Sequence, residues 1–326
     1  MRHRITTRLL HAAVSVWAAF TLSFVLLYLL PGDPVAIMLG GQSGTGTASP
    51  EQVAQLRAEY GFDRPLPAQY ADRLLAALHG DFGTSLQTGD TVAHTFATAL
   101  PQTLALAGSA LALACLLGPG LAVAAALTRS GRLSRLLLAL PAAGISLPQF
   151  AVGLILLQVV SFQWRLLPAV GGSGAASLVL PAVTLALPTA AVLAQVFARS
   201  LFGTLDEPYV TTARAKGAGR VRVLLGHAAR NAALPLLSLL ALVVGNLLAG
   251  SVIVETVFSR DGFGRITAAA VTAKDIPVVQ GAVVFGAAVF TLINLAVDLV
   301  NPLIDPRLAQ GGPERSSRRW LRPRST

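Results

Sequence analysis

Residues 101–127 read PQTLALAGSALALACLLGPGLAVAAAL, a run without a single charged side chain. A helix rises about 1.5 Å per residue, so about 20 apolar residues cross the hydrocarbon of a bilayer. This run is long enough to be a membrane span, and the composition of the whole chain agrees. Of 326 residues, 54% are hydrophobic and only 12% are charged, with a mean hydropathy of +0.65. Soluble domains carry about 25% charged residues. The chain lacks the polar surface a globule in water needs, and the sequence predicts an all-α, polytopic membrane protein.

Five further segments are long and apolar enough to span, at about 9–30, 136–160, 178–198, 234–254 and 278–300. The fourth of the six spans, 178–198, reads as broken by Pro181 and Pro188. The first follows Arg2, Arg4 and Arg8, as a signal peptide would. Signal-peptide cores are only about 7–15 residues long. This run is longer and ends at Pro31-Gly32-Asp33-Pro34, so an uncleaved anchor is expected.

Lysine and arginine set the orientation. With both termini in the cytoplasm, the outside segments hold only Arg57, Arg64, Arg73, Arg165, Arg260, Arg265 and Lys274. The other eighteen of the 25 basic residues then lie inside. The net charge of +10 is therefore mostly an orientation signal, and no nucleic-acid partner is expected. Cys115 is the only cysteine, which excludes an internal disulfide; it reads as a small buried hydrophobe.

Four regions follow: an N-terminal segment with the first span, 1–30; an outer loop, 31–100; a core membrane domain, 101–307; and a basic tail, 308–326. The outer loop has its own helical grammar. Ser49-Pro50-Glu51-Gln52 offers a capped helix start, and Gly61 a stop. A second helix is expected near 68–78, ending at Gly80. Asp33, Glu51, Glu59, Asp63, Asp72, Asp81 and Asp90 make the loop acidic, which suits packing on the span ends, a docking surface, or both. Residues 258–277 read as a short, glycine-turned outer loop. The tail is rich in Arg, Ser, Pro and Gly, which predicts disorder next to an anionic inner leaflet.

The largest cytoplasmic insert, 206–233, contains TTARAKGAGRVRVLLGHAARN at 211–231. Asp206 can cap a helix, with Glu207 and Pro208 in its first turn. A short helix then runs to Lys216 and stops at Gly217. A second, from about Arg220, places Val221, Leu224, Leu225 and Ala228 on one stripe. Arg220, Arg222, His227 and Arg230 fall on or near the other face. Gly217 and Gly219 supply a corner, because glycine tolerates positive φ. The result is a helix-turn-helix lying under the membrane. On the residues alone, three roles stay open: partner docking, an amphipathic helix on anionic lipid, and a loop obeying the positive-inside rule. Tethering at both ends argues against DNA binding.

These residues carry a resemblance. Tyr209-Val210-Thr211-Thr212-Ala213-Arg214-Ala215-Lys216-Gly217, then His227 to Asn231 and Leu234-Pro235, resembles the cytoplasmic signature of binding-protein-dependent ABC importer permeases. It is most similar to the dipeptide/oligopeptide/nickel group. Gly80-Asp81-Phe82-Gly83-Thr84-Ser85, the run from Gly250 to Phe258, Asp275-Ile276-Pro277 and Asp305-Pro306-Arg307 agree, so the match covers nearly the whole chain. The general signature is Glu-Ala-Ala, three residues, then Gly. Here Thr211 stands at the Glu position and Thr212 at the first Ala, while Ala213 and Gly217 keep the pattern. The Glu contact to an ATPase therefore has no carboxylate here.

The resemblance implies a type I importer permease fold with six membrane helices. It also implies that the turn Thr211-Thr212-Ala213-Arg214-Ala215-Lys216-Gly217-Ala218-Gly219-Arg220 is the ATPase-coupling segment. The implied partners are a homologous second permease, two cytoplasmic ATPases, an extracytoplasmic substrate-binding protein and membrane lipid. The implied location is the bacterial inner membrane. The chain has no G-x-x-x-x-G-K-[ST] run, so ATP and Mg are expected in the partner subunits and no cofactor on this chain. The implied cargo is a di- or oligopeptide carried by alternating access, with nickel or a metal chelate as the alternative.

Polar residues in or near spans are candidates for the path: Asn246, Asn294, Gln195 and Glu255, with Gln158 and Asp298 beside them. Interhelical hydrogen bonding is the competing role for the amides. Glu255, at the outer end of the fifth span, is expected at the substrate entrance or against the binding protein. Gly171-Gly172-Ser173-Gly174 and Gly262-Phe263-Gly264 read as turns. His3, His11, His79, His94 and His227 are too scattered in sequence for a metal cluster. A secondary transporter would want internal repeats and mid-membrane charge. A membrane hydrolase would want a Ser/His or metal pair within spans. The sequence shows neither set clearly.

Overall fold

The computed structural model describes residues 2–29, 51, 54–55, 58, 63–169 and 174–304. The expected turn at 31–34, most of the expected helix after Ser49, and the tail at 308–326 lie outside the described residues, as does most of the glycine string at 171–174. The described residues are almost wholly helical. Four helices are long and apolar enough to cross a membrane, and two bent pairs bring the number to six if each is one span.

Helix α1 (Arg2–Leu29) is followed by α2 (Leu66–Leu78) in the outer loop and by the long α3 (Val92–Leu127). Thr91 caps α3, accepting the amide of His94 at 3.2 Å. Helices α4 (Gly131–Ser146) and α5 (Gln149–Leu156), the latter running on into a π-helical stretch at Leu157–Gln163, replace the continuous third span expected from hydropathy. They meet at 101°, where Leu147 is extended and Pro148 has no N–H to continue the ladder.

The fourth span shows the opposite outcome. Helix α6 (Ala176–Leu205) passes through both Pro181 and Pro188, although the sequence suggests a break there. Pro181 frees the carbonyl of Ser177, and Arg260 supplies the missing donor through Nη1 at 3.1 Å. A proline is tolerated in a membrane helix when a neighbour re-satisfies the backbone in this way.

Helices α3 and α6 form the centre of the domain. Ala110, Ala114, Gly118, Ala122 and Ala126 recur every fourth residue on α3, and all are buried. A Cβ on Gly118 would stand 2.7 Å from the carbonyl oxygen of Ala190. Small side chains let two backbones approach, and van der Waals packing holds spans together where lipid removes the hydrophobic drive. Leucines such as Leu104, Leu116 and Leu292 are exposed instead, as expected for surface that meets lipid tails. Cys115, expected to be buried, is exposed on the same helix: it sits one residue past Ala114 and so turns away from the packed stripe.

After α6 the chain forms α7 (Pro208–Ala215), a π-helical stretch at Arg222–Ala228, the single turn α8 (Ala229–Ala232) and the fifth span α9 (Leu234–Val257). The path from Arg222–Leu237 to Leu242–Val257 bends by 62°. The outer segment expected as a loop contains α10 (Phe263–Thr272), and α11 (Ile276–Ile304) is the last span.

The outer ends are tied together. Val92, Phe96, Ala270, Val278 and Ala282 make a small apolar cluster. Phe263 packs edge-on to Phe96, with ring centroids 5.0 Å apart. Asp275, buried at the α10–α11 turn, accepts Ser85 Oγ at 2.5 Å and the Leu86 amide at 3.2 Å. That holds the outer loop, where Thr84 and Thr91 pair across a hairpin, against the membrane helices. On α2, the hydroxyl of Tyr70 bonds to that of Thr21 on α1 at 2.8 Å.

Candidate functional site

The segment expected to couple to an ATPase sits where α6 ends. Asp206, expected to cap the next helix, instead closes α6; its amide bonds back to Gly203 O at 3.3 Å. Glu207 is extended and Pro208 opens α7, whose fixed φ suits a first helical position. At the far end, Ala218 N bonds to Ala213 O at 3.1 Å and Gly217 N to Arg214 O at 2.9 Å. With Gly217 at φ +84°, this is a Schellman stop. A Cβ at Gly217 would meet nothing within 4 Å, so backbone conformation and not space requires glycine. Gly219 has no positive φ; its carbonyl accepts the amide of Val223 at 3.0 Å and begins the next helix.

The apolar stripe of that second helix is not the one the 3.6-residue period predicts. Val223 (1% exposed), Leu224 and Ala228 are buried, whereas Val221 (56%) and Leu225 (51%) are exposed. The wider π turn between Arg222 and Ala228 rotates the face. Leu224, Ala228 and Ala232 pack on Ala122 and Ala126 of α3 and on Phe197, Ala198 and Leu201 of α6. Arg220 donates through Nη2 to the carbonyls of Ala126 at 2.7 Å and Thr128 at 3.1 Å, a cation at a helix C-terminus. Asn231 donates to Tyr209 Oη at 3.0 Å and ties the two arms together.

The insert is therefore braced on one side and open on the other. Thr211, Thr212, Arg214, Ala215, Lys216, Gly217, Gly219 and Arg220 are exposed, and Ala213 and Ala218 are half-buried. Arg222, His227 and Arg230 extend the basic surface. Such a turn can press into an acidic or apolar groove on a partner. It is also rigidly joined to the two most closely packed spans, so a push on it reaches them directly.

Glu255 departs furthest from its expected position. It does not face an entrance: it is fully buried, and its carboxylate is occupied. Thr103 Oγ1 donates to Oε1 at 2.6 Å, and the amides of Gly264 and Arg265 donate to Oε2 at 2.8 and 3.1 Å. The carboxylate thus holds the first turn of α10, where free N–H groups point. Gly262 and Gly264 are not merely a turn. A Cβ on Gly262 would fall on the Glu255 carboxyl group, and one on Gly264 would lie 2.6 Å from Val252 Cα. Thr103 also accepts the Phe263 amide at 2.8 Å.

Of the remaining path candidates, Asn246 and Gln195 are exposed on α9 and α6. The side chains of Asn294 and Asp298 lie outside the described residues, and Gln158 is exposed in the π-helical stretch after α5. Asn246 lies beside Gln149 and Thr189 in one cleft, which sequence spacing alone does not bring together. Sequence reasoning also missed Thr103, Ser85 and Asp275, whose partners are distant in the chain.

Two family models match the chain. Residues 118–310 match the inner membrane component of binding-protein-dependent transport systems, and residues 1–107 match the N-terminal part of such membrane components. The glutathione transport system permease protein GsiC of Salmonella typhimurium is 35% identical over 308 residues, covering 94% of this chain and 99% of that protein. The Escherichia coli K12 protein of the same name is 34% identical over 308 residues, with the same coverage. A probable peptide ABC transporter permease protein, y4tP of Sinorhizobium fredii, is 35% identical over 316 residues, covering 94% of this chain and 98% of that protein. The all-helical fold with its paired, bent spans, the braced cytoplasmic turn and these matches agree: the chain belongs to the binding-protein-dependent ABC importer permeases of the peptide/oligopeptide family.

Proposed function

We propose that this permease imports small peptides, glutathione-like tripeptides and di- or oligopeptides, across the bacterial inner membrane by alternating access. A substrate-binding protein delivers the peptide to the outer face. The chain pairs with a homologous permease, and the path runs between them, past Asn246 and Gln195. Two cytoplasmic ATPases bind ATP and Mg and hydrolyse the nucleotide; the permease itself has no catalytic role. Peptide stands ahead of nickel because the names of the relatives are glutathione and peptide permeases.

The observation that carries the reading is the exposed basic turn at Thr211–Arg220, stopped at Gly217 and braced by Arg220 on the end of α3. Closure of an ATPase pair on this turn would move α3 and α6 together, because Leu224, Ala228 and Ala232 are packed on both. Thr211 offers a hydroxyl where the wider family has a carboxylate, so a hydrogen bond replaces an ionic contact at that point. The test is to assemble the permease with its ATPase subunits and binding protein in proteoliposomes and to measure uptake of peptide against ATP hydrolysis. Uptake that needs ATP and the binding protein is expected. Uptake by this chain alone, without nucleotide, would contradict the reading.

A further inference from the structure

At the break between α4 and α5, a cleft of about 230 Å³ opens at membrane depth. It is lined by Gln149 from the start of α5, by Leu185, Pro188 and Thr189 from α6, and by Val243 and Asn246 from α9. Asn246 lies near the midpoint of the apolar helix Leu234–Val257, within the expected fifth span. Among the described residues, the side chains of Gln149, Thr189 and Asn246 make no hydrogen bond. Polar groups at that depth are costly unless they find a partner, and they mark substrate pathways. The neighbouring backbone points the same way. Leu147 is extended between two helices, which interrupts the backbone ladder two residues before Gln149.

We infer that this cleft is a substrate subsite, in which Gln149, Thr189 and Asn246 hydrogen-bond the amide groups of a passing peptide. The inference rests on the peptide-import reading and names the residues that recognise the cargo. Two carboxamides and a hydroxyl provide donors and acceptors together, which is what a peptide group, itself both donor and acceptor, requires. No charged side chain lines the cleft, so it recognises the backbone common to all peptides and does not sort side chains by charge. A bare divalent cation would want several carboxylate, imidazole or thiolate ligands, and this lining offers none. Glycine at 250 belongs to the same design. A Cβ there would approach Gln149 Oε1 to 3.1 Å and crowd the carboxamide out of position.

The test uses the complete transporter in proteoliposomes, with Cys115→Ser as background and Val192→Cys, an exposed apolar position on the cleft lining, as a reporter. The probes are trialanine and S-methylglutathione. The reporter is expected to react with a water-soluble maleimide, and a probe that the same preparation imports is expected to slow that reaction at least about fivefold, as an occupied site excludes the reagent. Asn246→Leu is expected to lower peptide uptake about tenfold, roughly the worth of a lost hydrogen bond that leaves its partner unpaired, and Asn246→Gln to restore part of it. Failure of the reporter to label, or labelling that ignores an imported probe, would overturn the subsite while leaving the import reading standing. Failure of the wild-type complex to import either probe would overturn the peptide reading, and the subsite with it.

Discussion

The two ends of this membrane domain handle charge in opposite ways. At the outer end, the two acids that meet the membrane helices, Glu255 and Asp275, are drawn inward and saturated, while Asp72, Asp81 and Asp90 of the loop stay exposed. Glu255 accepts three hydrogen bonds and Asp275 two, and both are buried. At the cytoplasmic end, Arg214, Lys216, Arg222 and Arg230 stay at the surface. Only Arg220 among these neighbours is folded back, on the last carbonyls of α3. A saturated end is built to hold its shape. An end with exposed charge on a rigid brace is built to receive a partner. The difference fits the proposed division of labour, with a fixed outer face and an inner face that receives the ATPases.

The largest effects are expected at the outer end. Glu255→Ala would strand the Thr103 hydroxyl and two amides of α10, at a cost of about 3 kcal/mol or more. A large fall in the melting temperature of the detergent-solubilised protein is expected, with early proteolysis around α10. An unchanged melting curve would mean that the outer end is not held this way. Asp275→Asn keeps one acceptor of two and should cost about 1–2 kcal/mol, read as faster cleavage within the hairpin at 84–91. The cytoplasmic brace is weaker. Arg220→Ala removes an exposed cation from a helix end, worth on the order of 1 kcal/mol or less. Amide exchange should speed up at the end of α3 and in the insert, while the outer end is unaffected. The smallest effect on stability is expected for Thr211→Ala, within about 0.5 kcal/mol as for other surface changes. A measurable loss of ATPase association in that variant would sharpen the assignment of Thr211 to the contact.

Much of this architecture can be read without coordinates, because hydropathy needs only composition along one axis. Four long spans, two further ones formed as bent helix pairs, and the stop at Gly217 follow from such local information. The breaks do not. Helix α6 runs through Pro181, where Arg260, 83 residues away from Ser177, donates to the freed carbonyl, and the chain turns instead at Leu147-Pro148, between α4 and α5. The stripe on the second insert helix differs from the expected one for a related reason. A π turn is not visible as a period, and it exchanges Val221 and Leu225 for Val223 on the buried side. Glu255 reads as an exposed residue at a span end because its partner Thr103 is 152 positions away. The every-fourth-residue series from Ala110 to Ala126 is a signal in plain view for the α3–α6 contact. Its meaning depends on the matching small residues of α6.

On the proposed mechanism, the turn stopped at Gly217 passes motion from partner ATPases into the spans. Gly217→Val tests it most directly, since glycine is needed there for φ and not for space. A left-handed conformation costs a non-glycine residue about 1–2 kcal/mol, so the turn should re-form in a different shape. The predicted result is permease at normal levels in the membrane, with ATP-driven peptide uptake reduced about tenfold or more. Uptake within about twofold of the unaltered protein, under the same ATP and binding-protein concentrations, would contradict the account.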